Sequence, residues 1–211
     1  MRKSLGIVFC LLSCVARAED VVVAALGDSL TQGYGLAQPD GFVPQLQSWL
    51  VDQGLAVRLV NAGVSGDTTA GGLARVGWTL TEEVDALIVT LGGNDLLRGI
   101  DPSVTRANLD GILSAARDAD VDVLLVGMQA PGNFGPAYKQ EFDAIYPELA
   151  KTYGALYAES FFEGFGDAAD DPALARVYMQ PDGIHPNVKG VKRIVEALGP
   201  DVAALIERAR D

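Results

Sequence analysis

His185 is the only histidine in the chain, and it lies near the C-terminus. Imidazole is the side chain whose unperturbed pKa lies closest to neutrality, so acid–base chemistry at neutral pH would depend on this residue. Ser29, near the other end, is a candidate nucleophile, because a serine hydroxyl becomes reactive once a base takes its proton. Asp182 is a candidate for the carboxylate that orients the imidazole. These residue types predict a catalytic triad of Ser29, His185 and Asp182.

The spacing of these residues differs from the nucleophile elbow of Gly-x-Ser-x-Gly hydrolases, because the second residue after Ser29 is Thr31. Asp182 precedes His185 by only three residues, so the carboxylate can reach the imidazole within one loop. Taken singly, each residue has a simpler explanation as a turn, a helix cap or a satisfied polar group. Their combination, with Ser29 directly after an apolar run, favours a reaction centre.

Loops rich in small residues follow the first three apolar runs. The first loop, at residues 27–30, contains Ser29, and the other two loops span residues 61–67 and 92–95. Ester hydrolysis by a serine needs donors aimed at the oxygen that becomes negative. We expect these donors to be the N–H groups of Ser29 and Gly63 and the side-chain amide of Asn94. Glycine at position 63 would let the backbone approach a substrate closely.

Structural explanations remain open for several residues of these loops. Gly27 and Gly92 are consistent with tight turns after strands, and Asn94 is also a common turn residue. For Asp28 and Asp95 we expect a role in holding the loops rather than in proton transfer.

The pattern of apolar runs predicts an α/β fold. Short β-branched runs alternate with amphipathic helical segments, which indicates a parallel sheet covered on both faces, a three-layer α/β/α sandwich. In such a fold the C-terminal ends of the strands meet at one edge, where the crevice forms. The predicted strands are residues 21–26, 56–60, 86–91, 121–127 and 155–158.

Caps and apolar stripes place three of the helices. Asp101 is an N-cap followed by proline, Pro136 opens a second helix, and Asn187 caps the last long helix. We expect Gly199 and Pro200 to end or kink that last helix. The stripes expected to face the core are Leu109, Ile112, Leu113 and Ala116; Phe142, Ile145, Tyr146 and Leu149; and Val188, Val191, Val195 and Leu198.

The N-terminus has the pattern of a secretory signal over residues 1–18, with two basic residues, an apolar stretch and an Ala-x-Ala site. We therefore expect an exported protein, periplasmic or secreted, with a single domain over residues 19–211. Both cysteines, Cys10 and Cys14, lie in the predicted signal. Lipid attachment at Cys14 is an alternative processing route. No stretch is long enough to predict an integral membrane segment in the mature protein.

The net charge of −12 at pH 7 excludes some classes of partner. So acidic a surface repels phosphate backbones, so we expect no nucleic-acid partner. One histidine and no mature cysteine disfavour a catalytic metal, and we expect no cofactor. The acidic residues Asp118, Asp120, Asp122, Asp170 and Asp171 are most simply solvated turn and strand-entry positions, and a calcium site is the alternative that the sequence leaves open.

The ordered blocks at residues 27–30, 61–69, 92–95 and 182–186 resemble those of the GDSL family of SGNH hydrolases. With residues 97–99 and 127–131, they are similar to its exported bacterial arylesterase, thioesterase I and lysophospholipase L1 group. The resemblance implies the flavodoxin-like strand order 2-1-3-4-5. It also implies Ser29, His185 and Asp182 as the triad, and Ser29, Gly63 and Asn94 as the oxyanion hole.

Two departures from this group, at Leu96 and Gly132, leave the acyl-length preference open. The predicted activity is hydrolysis of carboxylic esters or thioesters of small or lipid-like molecules through an acyl-enzyme. A carbohydrate O-acetyl esterase and a non-catalytic periplasmic binding module are the alternatives. The aromatic stretch at residues 161–165 favours acyl chains or aromatic esters, although it also fits a core-facing loop.

Overall fold

The protein folds around a five-stranded, all-parallel sheet with the order β2-β1-β3-β4-β5. The structure is a computed structural model that describes residues 20–168 and 172–210. The strands are β1 (Val21–Gly27), β2 (Val57–Gly63), β3 (Ala86–Thr90), β4 (Asp122–Val126) and β5 (Leu156–Ala158). The predicted strands, their parallel arrangement and the order 2-1-3-4-5 are confirmed.

Helices cover both faces of this sheet. One layer contains α2 and α8, which contact each other, and the other contains α3, α5 and α6. The α-helices of the described residues are α1 (Ser29–Gln32), α2 (Phe42–Asp52), α3 (Thr69–Thr79), α4 (Gly93–Leu97), α5 (Pro102–Asp118), α6 (Pro136–Tyr153), α7 (Pro172–Ala175) and α8 (Val188–Arg208).

Burial explains why the central strands read as continuous apolar runs. Every residue of β1 and of β3 is buried, because helices pack on both faces of the sheet. The edge strand β2 is only partly buried. Part of its open edge is capped by Gln47, which accepts a hydrogen bond from Leu59 N–H (2.7 Å) and donates one to Val57 O (2.9 Å). This side chain occupies backbone groups that another strand could otherwise pair with.

The helix caps and most of the predicted stripes are confirmed. Asp101 accepts a hydrogen bond from Ser103 N–H, and Asn187 accepts from the N–H groups of Lys189 and Gly190. The stripes of α5 and α6 are buried throughout. In α8 the first stripe residue, Val188, is instead exposed.

We expected Gly199 and Pro200 to end or kink the last helix, and the first of these alternatives is wrong, because α8 runs through both residues. Gly199 lies against the ring of Trp49, where an added Cβ would come within 2.7 Å of the ring carbons. This close packing of α8 on α2 favours continuing the helix, and it offsets the backbone hydrogen bond that proline cannot make.

The predicted signal segment, residues 1–18, and the alternative of lipid attachment at Cys14 lie outside the described residues. Among the helices of the described residues, none is long and apolar enough to cross a membrane.

The sheet brings three loops to one edge. Strand β1 ends at Gly27 and leads into α1, β2 ends at Gly63, and β3 is followed by α4. Because all strands are parallel, these connections leave the same edge of the sheet. The fold thereby gathers the loops that the sequence marked as chemically important.

We expect Val89→Ala to lower the free energy of unfolding by about 2 kcal/mol, from the lost apolar burial and the cavity left behind. Val89 lies in the central strand and is 0% exposed. The matched control is Val51→Ala in α2, where the side chain is 54% exposed and the change should be near zero or slightly stabilising. Urea unfolding followed by circular dichroism measures both, and equal losses would contradict this account of the core.

Candidate active site

The structure brings Ser29 and His185 together from opposite ends of the chain. Ser29 Oγ lies 2.8 Å from His185 Nε2, and His185 Nδ1 lies 2.7 Å from Asp182 Oδ2. With its proton on Nδ1, the imidazole donates to Asp182 and accepts from the serine hydroxyl. The histidine side chain is 15% exposed and the aspartate side chain 37% exposed, so the pair borders solvent.

A compact loop fixes the aspartate and the histidine relative to each other. Asp182 Oδ1 accepts hydrogen bonds from the backbone N–H groups of Ile184 (2.9 Å) and His185 (3.0 Å). Gln180 N–H donates to His185 O at 2.7 Å. Gly183 has a φ of +68°, a conformation that glycine adopts without strain. The short separation of acid and base is therefore a property of one turn of chain.

These hydrogen bonds also set the ionisation of Asp182. Its pKa falls from 3.8 to about 2, chiefly because His185 donates a hydrogen bond to the carboxylate, with further contributions from the N–H groups of Ile184 and His185. The carboxylate is consequently ionised at neutral pH. It can stabilise the positive charge that the imidazole gains on taking a proton.

Ser29 is the first residue of α1, immediately after the end of β1. Asp28 caps this helix by accepting a hydrogen bond from Leu30 N–H at 3.0 Å. Glycine at position 27 allows the tight packing before the turn, because an added Cβ would lie 2.0 Å from Thr31 Oγ1. Among the hydrogen bonds of residues 20–168 and 172–210, none uses the N–H of Ser29 as donor. That group is free to bind a substrate oxygen.

Asp28 connects the turn before Ser29 to α4, the helix that carries Asn94. Its Oδ2 accepts a hydrogen bond of 3.0 Å from Asn94 Nδ2, and the residue is 2% exposed. Burial raises the pKa of Asp28, while the hydrogen bonds from Leu30 and Asn94 oppose that rise. The contact uses one of the two amide hydrogens of Asn94 and fixes the direction of the other.

Gly63 does not line the cavity that opens beside Ser29. Its N–H donates to Asn61 Oδ1 at 2.9 Å, and Ser65 and Gly66 line the cavity in its place. Gly66 has a φ of +82°, and within the part of the chain that the structure describes its N–H has no hydrogen-bond acceptor. Its position in a Gly-Asp turn after β2 is the sequence signal that could have identified it.

Asp95 holds the loop before α3 against α4. It is fully buried, accepts hydrogen bonds from Thr69 N–H (2.8 Å) and Thr69 Oγ1 (2.5 Å), and accepts a third from Thr105 Oγ1 (3.2 Å). This arrangement agrees with the scaffolding role expected from the sequence. It fixes the helix that carries Asn94 to the segment that follows Gly66.

A cavity of about 1170 Å³ is lined by Ser29, Asp182 and His185. Leu96 lines it, as do Phe162 and Phe165 of the aromatic stretch, whereas Gly132 does not. Phe165 is also largely buried, so the aromatic stretch both lines the cavity and packs against the core. The other apolar or aromatic side chains of the lining are Leu30, Tyr34, Leu97, Met128, Pro131, Phe134, Ala175, Met179, Pro181 and Ile184.

Residues 20–168 and 172–210 contain no group of three or more His, Cys, Asp or Glu side chains that could hold a metal ion. Asp118 pairs with Arg117 at 2.8 Å and Asp122 with Arg208 at 2.7 Å. The adjacent acids at 170 and 171, which the sequence left open for calcium, lie outside the described residues.

We expect the Asp182 carboxyl to remain about nine-tenths ionised near pH 3, where an ordinary aspartate is mostly protonated. Carbon-13 NMR of the carboxyl measures this. In His185→Ala the largest stabilising contact is absent, so the pKa should move towards 3.8. Because the folded pKa is lowered, the stabilisation is complete above the unfolded value and is lost as the pH falls towards about 2. Ordinary titration in the unsubstituted protein would show that the hydrogen bonds are absent in solution.

Known proteins resemble this chain over nearly its whole length. The model of the GDSL-like Lipase/Acylhydrolase family matches residues 25–193. Esterase TesA of Pseudomonas aeruginosa is 40% identical over 197 residues, covering 93% of this chain and 94% of that protein. Thioesterase 1/protease 1/lysophospholipase L1 of Escherichia coli K12 is 36% identical over 178 residues, covering 84% and 80%. The crystal structure of AlinE4, an SGNH-hydrolase family esterase, is 43% identical, covers 90% of this chain and 98% of its own, and has a TM-score of 0.72. The chain therefore belongs to the GDSL-like lipase/acylhydrolase family.

Proposed function

We propose that this ester-bond hydrolase uses Ser29 as nucleophile, His185 as general base and acid, and Asp182 as the orienting carboxylate. The observation that carries the proposal is the hydrogen bond of 2.8 Å between Ser29 Oγ and His185 Nε2. The second hydrogen bond, of 2.7 Å, joins the other imidazole nitrogen to the carboxylate. This order of hydroxyl, imidazole and carboxylate is what activation of a serine requires.

In the first half of the reaction His185 Nε2 takes the hydroxyl proton as Ser29 Oγ attacks the acyl carbon. The carbonyl oxygen becomes negative in the tetrahedral intermediate. When that intermediate collapses, the bond to the leaving alcohol or thiol breaks, and His185 gives its proton to the leaving group. An acyl-serine remains.

Water then repeats the sequence on the acyl-enzyme. His185 takes a proton from the water as its oxygen attacks the acyl carbon, and a second tetrahedral intermediate forms. Its collapse breaks the ester bond to Ser29, whose oxygen recovers a proton from His185. The products are a carboxylic acid and the free enzyme, and Asp182 stays ionised throughout.

We assign the oxyanion hole to the N–H groups of Ser29 and Gly66 and to the Asn94 side chain, with Gly66 in place of Gly63. Two observations support the exchange. The Gly63 N–H already donates to Asn61, whereas Gly66 lines the cavity that contains Ser29 and Asn94. Each well-placed donor contributes about 10²- to 10³-fold to turnover.

The preferred substrates are esters or thioesters with an apolar acyl group. The support is the apolar and aromatic lining of the cavity beyond the triad, which includes Leu96, Met128 and Phe162. A volume of about 1170 Å³ exceeds what an acetyl group needs, and it gives no reason to prefer a carbohydrate O-acetyl ester. The relatives named as esterases favour hydrolysis over a non-catalytic binding role.

Export is part of the proposal. It is supported by the basic, apolar and Ala-x-Ala segments of residues 1–18, which together have the order of a secretory signal. The mature chain would then begin at Glu19 and act in the periplasm or outside the cell.

We expect Ser29→Ala to lower kcat/KM for p-nitrophenyl butyrate by at least about 10³-fold, because among residues 20–168 and 172–210 no other hydroxyl is hydrogen-bonded to the imidazole. A fluorophosphonate probe should label the unsubstituted protein at Ser29 and leave the variant unlabelled. The control is Ser48→Ala on the exposed side of α2, where the hydroxyl donates a hydrogen bond to Pro44 O. Full activity in a folded Ser29→Ala protein would refute the assignment.

We expect the backbone amide proton of Gly66 to shift downfield when a phosphonate inhibitor forms a covalent adduct with Ser29. The shift arises because the N–H then donates to a negative oxygen. The amide of Gly63 should change little, since it stays bonded to Asn61. Two-dimensional ¹H–¹⁵N NMR measures both residues in one sample. A large shift at Gly63 with none at Gly66 would restore the assignment made from the sequence.

A further inference from the structure

The guanidinium of Arg75 links the end of β1, which leads to Ser29, with the turn that contains Gly66. Arg75, in α3, donates from Nη2 to Gly27 O at 2.8 Å and from Nη1 to Ala62 O at 2.6 Å. Its Nε donates to Asp67 Oδ2 at 2.7 Å. These acceptors lie at the end of β1, at the end of β2 and directly after Gly66. One side chain thus spans three parts of the chain.

The contacts involve positions adjacent to the reacting groups. Gly27 precedes the Asp28–Ser29 turn, and Asp67 follows Gly66, whose N–H we assign to the oxyanion hole. A shift of the Asp67 side chain would therefore move the Gly66 peptide relative to Ser29. The turn is also closed by a hydrogen bond of 3.1 Å from Asp67 N–H to Val64 O.

The chemistry of the contacts is specific to arginine. The guanidinium is planar and carries five donors in a fixed fork, so it can reach three acceptors in different directions at once. A lysine ammonium in the same place is a compact charge on a flexible stem, and it cannot hold this geometry. The side chains of Arg75 and Asp67 are 22% and 15% exposed, so solvent weakens the pair less than it weakens surface ion pairs.

Space around this pair is restricted. A Cβ added at Gly71 would come within 1.8 Å of Asp67 Oδ1, so the carboxylate has little room to move on that side. On the other side of the turn, Arg98 Nη2 donates to Gly66 O at 2.7 Å, but this contact is exposed. Arg75 is the more buried of the two basic residues that hold the loop.

We infer that Arg75 is a positioning residue that fixes the Gly66 N–H at the distance from Ser29 that the tetrahedral intermediate requires. This inference rests on the proposed function, in which Gly66 supplies an oxyanion donor. Arg75 does not line the cavity beside Ser29, and it acts through Asp67 and the two strand ends. Its effect therefore falls on stabilisation of the transition state and leaves ground-state binding unchanged.

Arg75→Lys provides the test. We expect kcat for p-nitrophenyl butyrate to fall by about 10²-fold, because a misplacement of about 1 Å can have that effect, while KM changes by less than about twofold. The affinity of an alkyl boronic acid, which forms a tetrahedral adduct with the serine, should fall by a similar factor. The dissociation constant of the same ester for the Ser29→Ala protein should not change when Arg75→Lys is added.

The matched control is Arg106→Lys. Arg106 also pairs with a carboxylate, Glu148 at 2.6 Å, but the pair joins α5 to α6 on the surface. This variant should retain full kcat. Asp67→Asn keeps an oxygen acceptor for Arg75 and removes the charge, so its loss of kcat should be smaller than that of Arg75→Lys. It serves as the second variant if Arg75→Lys fails to fold, as judged by circular dichroism.

Several results would overturn the inference. A folded Arg75→Lys protein with full kcat is one, and a raised KM with unchanged kcat is another. A lower kcat without a matching loss of boronate affinity would show that the residue acts elsewhere. Failure of the proposed function is distinguishable, because it would appear without any change at Arg75, as activity in Ser29→Ala or as an unshifted Gly66 amide in the phosphonate adduct.

Discussion

The proposed chemistry depends on one hydrogen bond between Ser29 and His185, which are 156 positions apart in the sequence. In the proposed mechanism neither residue acts alone, because a serine hydroxyl is weakly nucleophilic until a base takes its proton. The bond forms only if the end of β1 and the loop before α8 meet. A parallel sheet provides that meeting point, because its crossovers return every strand end to the same edge. The fold of the chain between the two residues therefore brings the hydroxyl and the imidazole to a distance of 2.8 Å.

Much of this arrangement could be predicted from the sequence. The apolar runs and the caps at Asp101 and Asn187 identified the elements, because burial on both faces leaves a direct pattern. The residues of the proposed triad could be singled out because the chain has one histidine and a short Asp-x-x-His spacing. What the pattern could not give was the strand order, which came from the resemblance to a family, since periodicity does not specify which strands are neighbours.

Other features needed coordinates. We propose Gly66 rather than Gly63 as an oxyanion donor because of the direction in which each backbone N–H points. The N–H of Gly63 already donates to the Asn61 side chain, which the sequence does not reveal. Arg75 belongs to no distinguishing motif. The sequence alone does not separate an arginine with buried partners from an exposed arginine on a helix. The continuity of α8 through Pro200 likewise depends on how closely Gly199 packs on Trp49, which is a tertiary contact. Local propensity was overridden in that case.

Two carboxylates near Ser29 have pKa values shifted in opposite directions because their surroundings differ. Asp182 borders solvent and accepts three hydrogen bonds, and these lower its pKa to about 2. Asp28 lies next to Ser29 in a buried position, and burial raises its pKa. In the proposed site a negative charge at Asp28 opposes the oxyanion, while its hydrogen bond to Asn94 orients the amide that we assign as an oxyanion donor. In this proposal the unfavourable charge of Asp28 is offset because the same group orients a donor, and electrostatic stabilisation depends on such prior orientation.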